Sequence, residues 1–298
     1  MSPSCLTTCY LMRDGQGPGK RRTSARGIKS GSDTLMKVWW SWLYSGEATF
    51  PIWRPTVPEA TEERVTLTAL AALLKRGLPL DGIESSMRRY HVEEKVESGR
   101  DRFTLINEAS HVRNDDGSIR FNLRWDRSVE YTYGDESRLV PETNRAEICL
   151  REGPLGPMAF IYASLTLAPA TAPQLSKALF RLQGQVVGIT PTIELFDWIL
   201  ENRAHRVLQG GFKVTGLAEL RYVTLNGDIN PDENTDWNHF KDNGELRTLT
   251  YEPQGGNRVF YIHSRGVYSV GGPGVDASDL EKYVLETIVP HLGPRAQR

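Results

Sequence analysis

The spacing of apolar residues changes several times along this chain, and each change predicts an element. Thr56-Val57-Pro58-Glu59 has capping-box spacing, in which the Thr and Glu side chains satisfy free amides of a first helical turn. Val65, Leu70, Leu73 and Leu74 follow at helical intervals, and Gly77 and Pro79 supply a stop, so a helix is expected between Glu59 and Gly77. Farther on, the period falls to two. Ile119, Phe121, Leu123 and Trp125 alternate with Arg120, Asn122, Arg124 and Asp126, which predicts a strand with one buried face. Val129, Tyr131 and Tyr133 alternate next, and residues 118–134 read as a hairpin. Segments 143–151 and 158–166 are expected to pair around Gly153-Pro154-Leu155-Gly156-Pro157.

Helical spacing returns after residue 168. Thr171 and Gln174 form a second capping box, Leu175, Leu179 and Leu182 make the apolar stripe, and Gly184 ends the helix. Thr190-Pro191 opens another, with Ile193, Phe196, Ile199 and Leu200 on its inner side. Strands recur at 217–225, 246–251, 258–263 and 266–270. Ser278 and Glu281 box a last helix, which carries Leu280, Val284 and Ile288 and stops at Pro290. Hairpins and helices intermingle without a regular βαβ rhythm. The fold class is therefore α+β, with mostly antiparallel sheets and about five helices in two subdomains. Pro169-Ala170-Thr171-Ala172-Pro173 marks the division into 36–168 and 169–298.

Residues 1–35 show no such periodicity and read as a disordered basic tail. Six cations there against Asp14 and Asp33 give a local charge of +4 in a chain whose formal charge is −1. Either translation starts at Met36, where the run to Tyr44 enters a buried strand, or the tail touches phosphates. Trp39, Trp40, Trp42 and Trp53 belong to that strand and the Pro-rich connector behind it.

Composition narrows the function classes. A net charge near zero provides no overall field toward nucleic acid or a membrane. No apolar run approaches the about 18 residues of a membrane span. Cys5, Cys9 and Cys149 are sparse and lack zinc spacing, which fits a reducing compartment, so a soluble cytoplasmic protein is expected.

The most specific chemistry lies in Asp228-Ile229-Asn230-Pro231-Asp232-Glu233-Asn234-Thr235-Asp236, where Asp or Asn occupies every second position. Alternate oxygen ligands can wrap a hard cation such as Ca²⁺. Over these nine residues the comb resembles an EF-hand loop, with Asp228, Asn230, Asp232 and Asp236 as ligands. Glu233 stands where that loop turns on Gly, and His239 where a bidentate Glu closes it. The competing reading is a polar turn whose Asn234 or Thr235 caps a short helix through Trp237 and Phe240. With Mg²⁺, the same carboxylates would suit phosphodiester hydrolysis. Pro231-Asp232 followed by Glu245-Leu246-Arg247 resembles the PD-(D/E)XK nuclease pattern, with Arg247 in the place of its Lys. Glu219, Glu245 and His263 are candidate ligands from elsewhere in the fold.

Two other stripes are candidate anion or nucleic-acid sites. Arg120 and Arg124 share the outward face of the strand at 118–126, and Tyr261, His263 and Arg265 share a face farther on. No complete catalytic set is legible. These features point to a binding or scaffold module for a protein or nucleic-acid partner, without a cofactor. The alternative is a metal-dependent hydrolase or nuclease on Asp228–Asp236, using Ca²⁺ or Mg²⁺.

Overall fold

The computed structural model describes residues 64–292, apart from 77–78, 99–100, 116, 134–135 and 216–220. The tail 1–35, the stretch from Trp39 to Trp53, the capping box at Thr56–Glu59 and Glu219 lie outside the described residues.

Strand β1 (Arg64–Leu74) occupies the region expected as a helix. Its residues from Leu67 to Leu74 are apolar except Thr68, and such a run fits a helix or a strand buried on both sides. Tertiary context decides. β1 lies between β6 (Gly156–Tyr162) and β12 (Val267–Pro273), antiparallel to both. Leu70, Ala72 and Leu74 enter one core, while Ala69 and Ala71 enter the other. The alanines suit a strand covered on both faces, where space is short.

Around β1 a sheet of twelve strands assembles among the described residues. On one side of β1 and β6 lie β5 (Glu136–Gly153), β4 (Ser118–Tyr133), β3 (Asp101–Asp115) and the edge strand β2 (His91–Ser98). On the other side of β12 lie β11 (Val259–His263), β10 (Gly244–Pro253), β8 (Ala204–Val214) and the edge strand β9 (Tyr222–Ile229). The short β7 (Val186–Gly188) pairs with the end of β1. All these pairings are antiparallel, and the architecture is α+β with a large sheet and five α-helices among the described residues.

Residues 118–133 are one strand and not a hairpin. Ile119, Phe121, Leu123, Trp125, Val129, Tyr131 and Tyr133 keep a single phase, so nothing in the alternation turns the chain. β4 pairs instead along its whole length with β5, from Ser118↔Arg151 to Tyr133↔Glu136. The β5–β6 hairpin forms as expected, closing at Gly153↔Gly156.

Helices cover opposite faces of the two halves of the sheet. α1 (Leu80–Met87) and α2 (Leu167–Phe180) pack Ile83, Met87, Ala168 and Leu175 against Ile119, Phe121, Leu123 and Ile148. α3 (Ile193–Asn202), α4 (Thr235–Asp242) and α5 (Ala277–Tyr283) pack Phe196, Ile199, Trp237 and Leu280 against Phe212, Leu249, Ile262 and Tyr268. Side chains alternate in a strand, so the two clusters lie on opposite sides of the sheet. Each half therefore keeps most of one face without a helix, and α5 reaches over the β4–β6 part of one through Glu281.

Several boundaries differ from expectation. α2 begins at Leu167, so Pro169 to Pro173 lie inside a helix. Thr171 donates its hydroxyl to the Leu167 carbonyl at 2.8 Å and does not cap. α3 is capped by Thr192, not Thr190. The box on α5 is Asp276 with Asp279 in place of Ser278 with Glu281. The tighter carboxylate pair wins the cap, and Glu281 is left to turn inward.

Candidate binding faces

The comb closes β9 and starts α4. Asn234 accepts a hydrogen bond from the Trp237 amide at 2.9 Å and is the N-cap, while Asp236 sits in the first turn, where a helix favours negative charge. Asn230 turns the loop by accepting from the Asp232 amide at 3.2 Å. Asp228 faces Arg206, with Oδ1 3.0 Å from Nε. No group of three or more His, Cys, Asp or Glu is placed to hold a metal ion among the described residues. A cleft of about 670 Å³ adjoins the comb and takes in Asp228, Asn230 and Asp232, and across it Lys241 pairs with Asp197 at 2.9 Å. Glu245 and Arg247 are outside this cleft and pair with each other at 2.6 Å.

The cap has a measurable weight. Asn234→Ala is expected to cost about 1 kcal/mol of stability, because an N-cap side chain satisfies an amide with no partner inside the helix. Asn234→Asp should retain nearly all of it. Urea unfolding of the two variants decides the point, and equal losses would remove the capping role.

The second candidate face belongs to β3–β6. Cross-strand pairing builds it in rows. One row is Glu108, Arg124 and Arg145, and the next is Ser110, Asn122, Glu147 and Tyr162. Strand pairing thus joins Arg124 to residues far from it along the chain. Arg124 lies 3.4 Å from Glu108 and 3.5 Å from Asp126, and its Nε is buried with no hydrogen-bond partner. Arg145 is exposed, stands directly across from Arg124, and has no ion-pair partner among the described residues. Both line a cleft of about 420 Å³ with His111 and Asn122. His111 has φ of 54°, a left-handed conformation at the bulge where β3 slips register against β4. That conformation is strained for a residue with a Cβ.

Arg120 shares the face but has an internal role. Its guanidinium donates to Glu281 Oε1 at 2.6 Å, Arg151 donates to Oε2 at 2.8 Å, and the Tyr162 hydroxyl donates to Oε1 at 2.7 Å. Glu281 is 1% exposed. Burial alone would raise its pKa, but Tyr162, Arg151 and Arg120 outweigh burial and hold it below the usual carboxylate value. Cys149 lies beside this cluster, and burial, with the Glu281 charge, pushes its thiol up to about 12, so it is not a nucleophile at neutral pH.

The third face is the free side of β8–β12. His263, Thr248 and Thr224 form one row, and Ser269, Tyr261, Thr250, Gln209 and Asn226 form the next. Gly211 holds the place between Thr248 and Thr224, and a Cβ there would overlap Thr248 and the Tyr222 hydroxyl. The bare glycine lets Tyr222 reach across β8 to Thr248, at 3.2 Å. His263 and Arg265 both line the cleft on this face. His263 takes the Arg265 amide on Nδ1 at 3.0 Å, whereas Asp276 caps α5 through Ser278 and Asp279. Burial, then Arg265 and Arg247, lower the pKa of His263.

The chain matches no protein-family model and no curated protein. No helix among the described residues is long and apolar enough to cross a membrane.

Proposed function

We propose that this chain is a binding module that docks a partner protein presenting an acidic segment on the open face of β3–β6, with no need of a cofactor. Arg145 carries the reading. It stands exposed and without an ion-pair partner among the described residues, directly opposite a second arginine, in a cleft. Like charges facing each other across a strand pair are destabilising, and Glu108 and Asp126 relieve Arg124 but leave Arg145 without an opposite charge. An incoming carboxylate meets the planar fork of one guanidinium and the field of the other. The strained His111 at the rim fits a surface fixed for contact.

Nucleic acid suits this face less well. Glu108, Glu147 and Asp126 flank the arginines, so the face has an isolated basic pair and not the continuous basic track that a phosphate backbone follows. Tyr162, the aromatic ring of the cleft, has its hydroxyl bound to Glu281. The hydrolase on Asp228, Asp232 and Asp236 has no comparable support, since Arg206 already neutralises Asp228.

The test is binding of a labelled Glu/Asp-rich peptide to the full chain, followed by fluorescence anisotropy, with a single-stranded oligonucleotide in parallel. Arg145→Glu is expected to weaken the peptide at least about tenfold, worth about 1.4 kcal/mol, without lowering the unfolding temperature, since it removes a like-charge pair with Arg124. Peptide affinity unchanged in Arg145→Glu would remove this face from the reading. An oligonucleotide that outcompetes the peptide with a steep salt dependence would replace a protein partner by nucleic acid.

A further inference from the structure

The free face of β8–β12 carries a second site, independent of the arginine face. Its cleft measures about 290 Å³, just below the roughly 300–1,000 Å³ typical of sites for drug-sized ligands. No carboxylate is among the residues that line it. The lining instead offers hydrogen-bond donors: the hydroxyls of Tyr222, Tyr261, Thr224 and Thr248, the ring of His263 and the guanidinium of Arg265.

The protonation of these groups is fixed by their surroundings. Nδ1 of His263 accepts from the Arg265 amide, so the proton of the neutral ring sits on Nε2, and that nitrogen donates. Burial, with Tyr222 adding to it, pushes the Tyr261 phenol up to about 12, and it remains a donor at neutral pH. Arg265 is exposed and has no ion-pair partner among the described residues. Arg247, whose charge also reaches His263, is balanced by Glu245 at 2.6 Å.

The wall behind the donors is held in place before any ligand arrives. Gln209 donates to Asn226 at 2.8 Å and accepts from Thr250 at 3.2 Å, and Tyr222 is tied to Thr248. Thr166, which precedes α2, stands at the edge of the cleft and adds a hydroxyl, while the first amides of the helix are taken by Ser164. Beside it Leu165 is 46% exposed and gives the rim an apolar wall.

Donors that line one cleft beside one unpaired cation, with no acceptor carboxylate, select a compact anion with many acceptor oxygens. A sugar would also need acceptors, and a bare carboxylate would leave donors unused. We propose that this cleft binds a phosphate monoester, with its phosphoryl oxygens on Arg265, His263 Nε2 and the Tyr261 hydroxyl and its organic group against Leu165.

The experiment is calorimetric titration of the full chain with phenyl phosphate and with inorganic phosphate, at ionic strength matched with sodium chloride. Phenyl phosphate is expected to bind, and to bind more tightly than inorganic phosphate. Arg265→Met is expected to weaken it at least about tenfold, and Tyr261→Phe a few-fold, with unfolding temperatures unchanged. Arg265→Lys should restore part of the loss. Arg145→Glu, on the other face, should change nothing. No heat with phenyl phosphate at millimolar concentration, equal affinity for inorganic phosphate, or equal affinity in Arg265→Met would each overturn the proposal.

Discussion

Glu281→Ala is expected to cost about 3–5 kcal/mol of folding stability, a large share of what a domain has in total. Glu281 sits on α5 at 1% exposure and answers two cations and a phenol that reach it from β4, β5 and β6. Removing it leaves the Arg120 guanidinium, 16% exposed, without its nearest counter-charge. The Tyr162 hydroxyl also loses its shorter acceptor and keeps the Ala277 carbonyl at 3.3 Å. Arg151 is 38% exposed and can turn to water, so Arg120 bears most of the loss. This explanation has a check of its own. Replacing both charges, as Arg120→Met with Glu281→Leu, should destabilise less than Glu281→Ala alone, because no ion is then left buried and unpaired. A double variant worse than the single one would show that α5 needs the shape of Glu281 more than its charge.

The same group sets an acid limit. Its folded-state pKa lies below the ordinary 4.5, so in acid the unfolded chain binds more protons than the folded one. Stability therefore rises with pH in this window. The contribution of Glu281 is complete above 4.5 and is lost as pH falls through the lower folded value. Compared with Glu281→Gln, the natural chain should gain most at neutral pH, and the gap should narrow as pH drops below 4.5. A constant gap across that range would mean that the carboxylate charge contributes nothing.

What could be foreseen depended on whether an element keeps one face toward water. The first half of β4 is legible because polar residues mark one of its faces, and the β5–β6 hairpin because Gly and Pro mark its turn, whereas the unbroken run of β4 past Asp126 is not. Nor is β1, because helices lie over both of its faces and its apolar run loses any period. β8 went unrecognised for a related reason. Gly210 and Gly211 interrupt its alternation, and what they accommodate comes from α4 and β9. Among site residues, Arg124 was visible in the alternation and Arg145 was not, since only strand pairing brings it opposite. Glu281 looked like half of a capping box, and its three partners lie 119 to 161 residues away. The comb is legible where it acts locally, through Asn234, but its consequence lies in the residue that this cap positions.

That residue is Trp237, and Trp237→Ala is expected to cost about 3–5 kcal/mol, the range for truncating a large buried aromatic side chain. The indole is 1% exposed and meets Phe212 edge to face, with centroids 5.0 Å apart. It lies over Gly210 so closely that a Cβ there would overlap the ring. The glycine and the tryptophan therefore form one packing unit. Gly210→Ala in the natural chain should cost about 1–3 kcal/mol through overpacking. In the Trp237→Ala background the clash is gone, and the same substitution should be nearly neutral. Urea unfolding of the four chains, followed by circular dichroism, measures this coupling, which ought to exceed the few tenths of a kcal/mol found between independent sites. Additive losses would mean that Gly210 is required by the backbone of β8 itself, and would separate the strand from the helix that Asn234 caps.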